Sequence, residues 1–430
     1  KNIWYIIIMV NIMTKIKKRR IRYDRILIVL IIIVGSFFLI RSLSKKELKD
    51  TTSYMPNLIG LNINDGIDKI KKYNFEIEKE YIYDETDKDT IIEQSIKENT
   101  KIDNQKELII KISKGKIDKE KLKQDNINEL GKIPIMMYHG IVDKKNSETD
   151  YIGGNIDKDG YTRTSEAFRQ DLELYYEKGY RMIRISDYIE GKIDVPYGYS
   201  PIILTFDDGN ANNLKVTGLD ENGNIIIDKN SAVGILEEFK KKYPDYNVTA
   251  IFFVTNNLFN QPEYNEKILS WLVDNGYEVG NHTKGHDNFK NIDINKTQEV
   301  VGYMYNKLST IIKDKYSKIV ALPFGSPYSK EHPNYKYIID GSYDGVEYHT
   351  KAALRVGWEP EVSPFHKDFD ETFLKRCRAY DNNGKDFDIE MVLRMNEKSR
   401  YISDGDITTI TTSKENEELI KNETLEKIIY

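Results

Sequence analysis

The chain has 430 residues, with 64 Lys and Arg against 69 Asp and Glu and a formal net charge of −5. That length exceeds what one hydrophobic core serves and predicts two or more domains. The near balance of charge argues against a nucleic-acid partner, which would call for a basic excess. With 11 Pro and 26 Gly the chain is neither collagen-like nor Pro/Gly-rich and disordered. The single Cys377 can form no intrachain disulfide and no thiolate metal site, so any metal must be held by His, Asp or Glu.

Residues 1–25 carry a basic run, Lys15, Lys17, Lys18, Arg19, Arg20 and Arg22, ahead of an apolar segment at 26–41. A positive flank before an apolar core keeps the N-terminus inside and sends the rest of the chain outward. Ile26 to Ile40 is short for a span of roughly 20 residues, and Arg25 and Arg41 can snorkel to lengthen it. No small-x-small cleavage site follows, which favours an uncleaved signal anchor over a removed leader. The expectation is a single-pass cell-membrane protein with its catalytic part extracellular. Met13 stands just ahead of the basic run and reads as the start, with residues 1–12 upstream of it.

A small α+β unit is predicted over 52–115. Pro56-Asn57-Leu58-Ile59-Gly60 precedes Ile63, Ile67 and Ile70 at helical spacing, and strand-like stretches follow at Phe75–Tyr81, Ile91–Gln94 and Leu108–Ser113. Residues 116–131 are rich in Lys, Asp, Glu and Asn and read as a solvated linker, helical in part.

From 132 to 412 apolar strand runs alternate with helical patterns, which predicts a parallel α/β sheet or barrel with function at the C-terminal strand ends. Ile202–Phe206 runs into Asp207-Asp208-Gly209, and two neighbouring carboxylates converge only if the chain turns there. Tyr277–Gly280 runs into Asn281-His282-Thr283-Lys284-Gly285-His286, whose imidazoles, four apart, would share one face of a helical turn. Ile319–Leu322 runs into the rigid turn Pro323-Phe324-Gly325. Two Asp and two His at successive strand ends make a divalent-metal constellation. Gly218–Ile227, with Asn222-Gly223 at its centre, reads as an inserted hairpin. Residues 413–430 read as a charged tail.

Thr205-Phe206-Asp207-Asp208-Gly209 and His282-Thr283-Lys284-Gly285-His286, together with Ile135–His139 and Ala250–Val254, resemble a polysaccharide deacetylase of the NodB-homology type, carbohydrate esterase family four. Pro56, Leu58, Gly60, Gln94, Ser113 and Gly115 resemble a PASTA domain, with Asn74 where that family often has glycine. The first resemblance implies a distorted (β/α) barrel of fewer than eight units. It also implies metal ligation by Asp208, His282 and His286, most often of zinc (Zn2+), with Asp207 as general base. The PASTA resemblance implies contact with the cell wall, with a spacer or dimerisation unit as the alternative, and the two resemblances together imply N-acetylated cell-wall glycan, peptidoglycan or a related polysaccharide, as the partner.

Two departures from the deacetylase pattern stand out. Ala321 occupies the place of the third motif's arginine, so Asp207 must borrow Arg355, Arg376 or Arg378. The fifth motif's general acid has no counterpart at its place, which leaves His366, His349 and His139 as candidates. Pro323, Phe324, Gly325 and Trp358 are implied to line the sugar site, Trp358 through the fourth motif's tryptophan. The departures keep two alternatives open: an O-acetyl esterase on the same site, since an alkoxide leaves without an acid more readily than an amine, and a catalytically impaired wall-binding protein.

Overall fold

The computed structural model describes residues 53–102, 107–385, 388–397, 399–421 and 424–430, and divides into two compact units between Ile117 and Asp118. The basic N-terminus (1–25) and the expected anchor (26–41) lie outside the described residues. Among the described residues no helix is long and apolar enough to cross a membrane.

The smaller unit is a helix on a three-stranded sheet. Helix α1 (Ile63–Ile70) is capped by Asn62, whose side chain accepts from the Asn64 amide, and it buries Ile63, Gly66 and Ile70. Strands β1 (Glu76–Ile82), β2 (Ile91–Gln94) and β3 (Glu107–Ser113) pair in the order β1-β3-β2, with β1 parallel and β2 antiparallel to β3. Asn74 takes the left-handed conformation that ends the helical turn, at φ 55°. The buried Gln94 accepts from the Leu58 amide at 2.7 Å and donates to the Pro56 carbonyl at 3.1 Å, tying the entry segment to the sheet. Pro56, Leu58 and Gln94 of the motif thus serve the unit's own fold.

The larger unit is built on an eight-stranded parallel sheet. Its strands are β4 (Ile135–Tyr138), β5 (Tyr180–Met182), β6 (Ser200–Phe206), β9 (Ile251–Val254), β10 (Glu278–Asn281), β11 (Ile319–Ala321), β14 (Ala352–Leu354) and β15 (Cys377–Arg378). Two hairpins interrupt this series, β7 (Val216–Leu219) with β8 (Ile225–Ile227), as the Asn222-Gly223 signal predicts, and β12 (Asp340–Tyr343) with β13 (Val346–His349). The sheet order is β14-β11-β10-β9-β6-β4-β15, with β5 on the first half of β6. Its two ends meet through one segment. Leu374 exchanges backbone bonds with Ala353 and Arg355 beyond β14, and the Ala379 amide donates to Met137 of β4. The sheet therefore curls into a distorted barrel.

Side-chain alternation divides the two faces. Ile135, Ile203, Ile251, Phe253, Ile319, Ala321, Ala352, Leu354 and Leu374 pack in one cluster and fill the inside. Met136, Tyr138, Leu204, Phe206, Phe252 and Val279 pack outward, in a cluster with buried residues of helices α3 (Ser165–Glu177), α4 (Ala232–Lys242) and α5 (Asn265–Asp274). Val320 and Ala353 pack outward with α6 (Ile294–Ile312).

Two expectations are corrected. Residues 118–131 are not a solvated linker. A short helix, α2 (Lys119–Gln124), buries Leu122, and Ile127, Glu129 and Leu130 are buried beyond it. The Glu129 amide donates to the Thr411 carbonyl at 2.8 Å. Residues 413–430 form more than a charged surface tail: after a helical turn at Lys414–Leu419, β17 (Glu426–Ile429) pairs in parallel with β16 (Thr409–Thr412), Ile428 is buried, and the Tyr430 hydroxyl donates to the Ile127 carbonyl at 2.7 Å. Each segment has few apolar residues of its own and depends on partners some 300 positions away, which local composition does not register.

Candidate metal centre

Inward parity along the strands brings the polar groups together. Ile203, Thr205 and Asp207 share the inner face of β6, and Ile133, Ile135, Met137 and His139 share that of β4 and its approach. Glu278, Gly280 and His282 run inward along β10, and Leu374, Arg376 and Arg378 along the closing segment. His139, Asp207, His282 and Arg376 therefore come to the C-terminal end of the barrel interior.

The two carboxylates converge because the chain turns at Asp208, which takes φ 75°, and at Gly209, φ 62°. A Cβ at Gly209 would lie 2.2 Å from the Leu258 carbonyl oxygen, so only glycine fits that approach. The histidines meet by a different route from the expected helical turn. Thr283 and His286 are both left-handed, at φ 65° and 58°, and the segment is an irregular turn. Asn281 Oδ1 accepts from the Thr283 amide at 2.8 Å, and Asp287 bonds with Thr283 and Gly285. The His282 amide donates to the Val254 carbonyl at 3.0 Å. These bonds set the two imidazoles edge to face, with ring centres 4.9 Å apart.

Asp208, His282 and His286 offer ligand atoms that all lie within 4.8 Å of one another. His282 Nε2 is 3.3 Å and His286 Nε2 3.5 Å from Asp208 Oδ1. His282 Nδ1 lies 2.9 Å from the Ala321 carbonyl oxygen, so Nδ1 carries the proton and Nε2 presents its lone pair to the cluster. Among the described residues four buried side-chain polar atoms have no hydrogen-bond partner, and two of them, His282 Nε2 and His139 Nδ1, are at this site. An orphaned imidazole nitrogen beside a carboxylate and a second imidazole fits a divalent cation, and an Asp/His/His set leaves positions open.

Of the three arginines expected to serve Asp207, Arg376 does so. Its Nη1 and Nη2 donate to Asp207 Oδ1 and Oδ2, each at 2.7 Å, and both side chains are buried. Nη1 also reaches Thr205 Oγ1 at 3.1 Å and Nε the Arg355 carbonyl at 3.0 Å. Burial would raise the Asp207 carboxyl, but the Arg376 charge, reinforced by His282, holds it well below the usual carboxylate range. Arg355 and Arg378 do not meet Asp207: Arg355 lies over the Phe373 ring, and Arg378 donates to the Asp159 carbonyl. Ala321 is part of the inward core, where it also supplies the carbonyl that orients His282.

The three candidate acids separate cleanly. His349 is exposed on its hairpin and paired with Asp340, and His366 Nδ1 accepts from the Asp368 amide in a segment bridged to Ile420. His139 is half-buried one residue beyond β4, with its Nδ1 shielded from solvent and its ring edge on Tyr161 at 4.8 Å. Burial lowers its pKa, while Asp207 and Asp208 act to raise it, so both carboxylates lie within electrostatic reach. Phe324, at φ 58° and 55% exposed, sets its ring 4.5 Å from His286, flanked by the buried Pro323 and Gly325. Trp358 is likewise 55% exposed, three residues beyond Arg355.

A family model of polysaccharide deacetylases matches residues 195–336, and a PASTA domain model matches residues 53–114. No curated protein matches the chain. A Bacillus anthracis protein described as a polysaccharide deacetylase is similar at 17% identity over 62% of this chain and 69% of its own, with a TM-score of 0.43. A Streptococcus pyogenes deacetylase solved with acetate aligns at 17% identity over 62% of this chain and 98% of its own, TM-score 0.44. A de-N-acetylase from Aggregatibacter actinomycetemcomitans aligns at 14% over 57% and 94%, TM-score 0.37. By the family matches, the chain carries a polysaccharide deacetylase domain preceded by a PASTA domain.

Proposed function

We propose that the chain is a metal-dependent hydrolase that removes acetyl groups from an N-acetylated cell-wall polysaccharide, peptidoglycan or a related glycan. It would act on the outer side of the membrane, tethered by the apolar segment at 26–41, with zinc as the metal. The observation that carries this reading is the Asp208/His282/His286 cluster beside an Asp207 that is buried, ionised and clamped by Arg376.

A divalent metal on Asp208, His282 and His286 would polarise the acetyl carbonyl and acidify water. Asp207 takes the proton of the attacking water as that oxygen bonds to the acetyl carbon. Its ionisation is secured by Arg376, which takes the place of the arginine missing at Ala321. When the carbon–nitrogen bond breaks, the departing amine needs a proton, and His139, whose Nδ1 has no partner at this site, would hand it over. Burial lowers the pKa of that imidazole and so makes it the stronger proton donor, while Asp207 and Asp208 oppose the lowering. Phe324 and Trp358 present exposed aromatic faces on which sugar rings can stack.

Arg376 beside Asp207 and His139 at the same site support the N-acetyl reading over an ester substrate or an inactive barrel. The test is acetate release by the zinc-loaded chain from peptidoglycan, N-acetylglucosamine oligomers and O-acetylated glycans in parallel. Release from the N-acetyl substrates, lost in Asp208→Asn, is expected. Release from esters alone would establish the esterase instead. Glycan binding without release on any substrate would leave the wall-binding reading.

A further inference from the structure

Arg378 is placed for a task that the acetyl chemistry leaves unused. It lies two residues beyond Arg376 on the same inward face, about 6.6 Å further toward the mouth at ordinary strand rise. Its backbone is in register with Met137, two residues before His139. Its guanidinium stands 5.4 Å from the Tyr161 ring centre and 4.9 Å from that of Tyr380. Tyr161 is also the ring that meets His139, so one side chain separates Arg378 from the reaction centre.

The brace is built, not incidental. Asp157 folds the loop by accepting from the Asp159, Tyr161 and Thr162 amides, at 3.0, 3.1 and 2.8 Å. Its carboxylate is thereby engaged by its own loop. Gly160, at φ 65°, lets the loop close on Tyr380, whose ring a Cβ there would strike at 2.0 Å. The loop then offers the Asp159 carbonyl to Arg378 Nη1 at 3.0 Å. Of the other arginines of this unit, Arg163, Arg169, Arg181, Arg184 and Arg376 each meet a carboxylate, while Arg355, Arg394 and Arg400 meet a ring, a carbonyl or a hydroxyl away from this loop. Among the described residues Arg378 meets none within ion-pair distance. A half-exposed guanidinium, held rigid by two aromatic faces and left without a counter-ion, is pre-organised for a forked acceptor.

We propose that Arg378, braced by Tyr161 and Tyr380, is an anion subsite at the mouth, so that the polysaccharide carries a carboxylate or phosphate close to the acetylated sugar. The inference rests on the deacetylase reading and narrows its substrate to an acidic glycan.

Binding to the metal-free full chain tests it by calorimetry, with three probes of equal length. These are a neutral N-acetylglucosamine oligomer, one with lactyl carboxylates on alternate sugars, and one carrying a phosphodiester. One acidic probe is expected to bind at least about tenfold tighter than the neutral one, as a charge-assisted bond implies. Which probe it is identifies the source of the anion. Arg378→Gln is expected to bring that ratio close to one, and Arg378→Lys, which keeps the charge without the fork, to an intermediate value that shields the test from a folding failure. Equal binding of all three probes by the wild type, or a preference that survives both substitutions, overturns the subsite. Acetate release by the zinc-loaded chain from the neutral oligomer is scored separately. Its absence speaks against the deacetylase reading and leaves the binding ratio to decide on Arg378.

Discussion

Arg376 and Asp207 are 169 positions apart in sequence and form a forked pair, two N–H···O contacts of 2.7 Å, sealed inside the barrel. The pair ties the closing segment to the end of β6 and sets the charge of the proposed base. Removing one partner leaves a buried charge uncompensated, a loss of about 3–5 kcal/mol. Arg376→Met is therefore expected to be strongly destabilised, and Asp207→Asn with Arg376→Met less so than the arginine variant alone. A double-mutant cycle on urea unfolding measures the coupling, and additive losses would show that the two do not interact. Because the folded carboxyl is depressed, the pair's stabilisation is present above about pH 3.8, the unfolded value, and is lost only as pH falls toward the depressed one.

The metal cluster makes an independent prediction through its histidines. In the metal-free chain burial acts to lower His282, but Asp207 and Asp208 overcome it and raise its pKa above 6.5. His286 and His139 are lowered, both chiefly by burial. A raised histidine contributes stability below pH 6.5 that is lost as pH climbs through its folded value. A lowered one contributes stability above 6.5 that is lost as pH falls. The metal-free chain should therefore have a local stability maximum near pH 6.5, and His282→Gln should remove the decline on its alkaline side. Zinc at about 100 times its Kd should add about 2.7 kcal/mol, read as a rise in Tm. A flat pH profile and no metal-dependent shift would remove the cluster as a cation site.

Much of the barrel was legible because apolar runs and turn residues repeat at short range. The strands ending at Phe206, Asn281 and Ala321, the Asp-Asp-Gly turn and the two histidines are all local patterns. What the sequence did not disclose was the partner of Asp207. Arg355, Arg376 and Arg378 look alike in sequence, and only the inward parity of Leu374, Arg376 and Arg378 against the closing strand separates them. Spacing of four suits a helix, but the left-handed Thr283 and His286 bring the rings together instead. Residues 118–131 and 413–430 hide their order in sequence because their partners lie some 300 positions away, Glu129 bonding to Thr411 and Tyr430 to Ile127.

His139 offers a kinetic prediction. If it protonates the leaving amine, His139→Gln should lower kcat by about 10² to 10⁴, the usual contribution of general acid–base catalysis, with KM little changed. The loss should be smaller on an aryl acetate, whose leaving group needs no proton, and the alkaline limb of the pH profile should disappear. His349→Gln and His366→Gln should leave kcat unchanged. Equal losses on amide and aryl ester would assign His139 a packing role against Tyr161.

Phe324 pits stability against function within one residue. A bulky side chain at φ 58° is held in a sparsely populated region, at a cost of roughly 1–3 kcal/mol. More than half of its surface faces solvent, so its burial does little to offset that cost. Gly325 follows it at φ 68°, with Val356 packed closely beside it, so the turn has no room to relax around Phe324. Phe324→Gly removes the strain and should raise Tm, because glycine adopts this conformation freely. Phe324→Ala keeps a Cβ, hence most of the strain, and should not. Both lose the ring beside His286 and should raise KM for the oligosaccharide. A glycine variant with unchanged KM would show that the ring is not a sugar platform. One with lowered Tm would show that the His286 contact outweighs the strain.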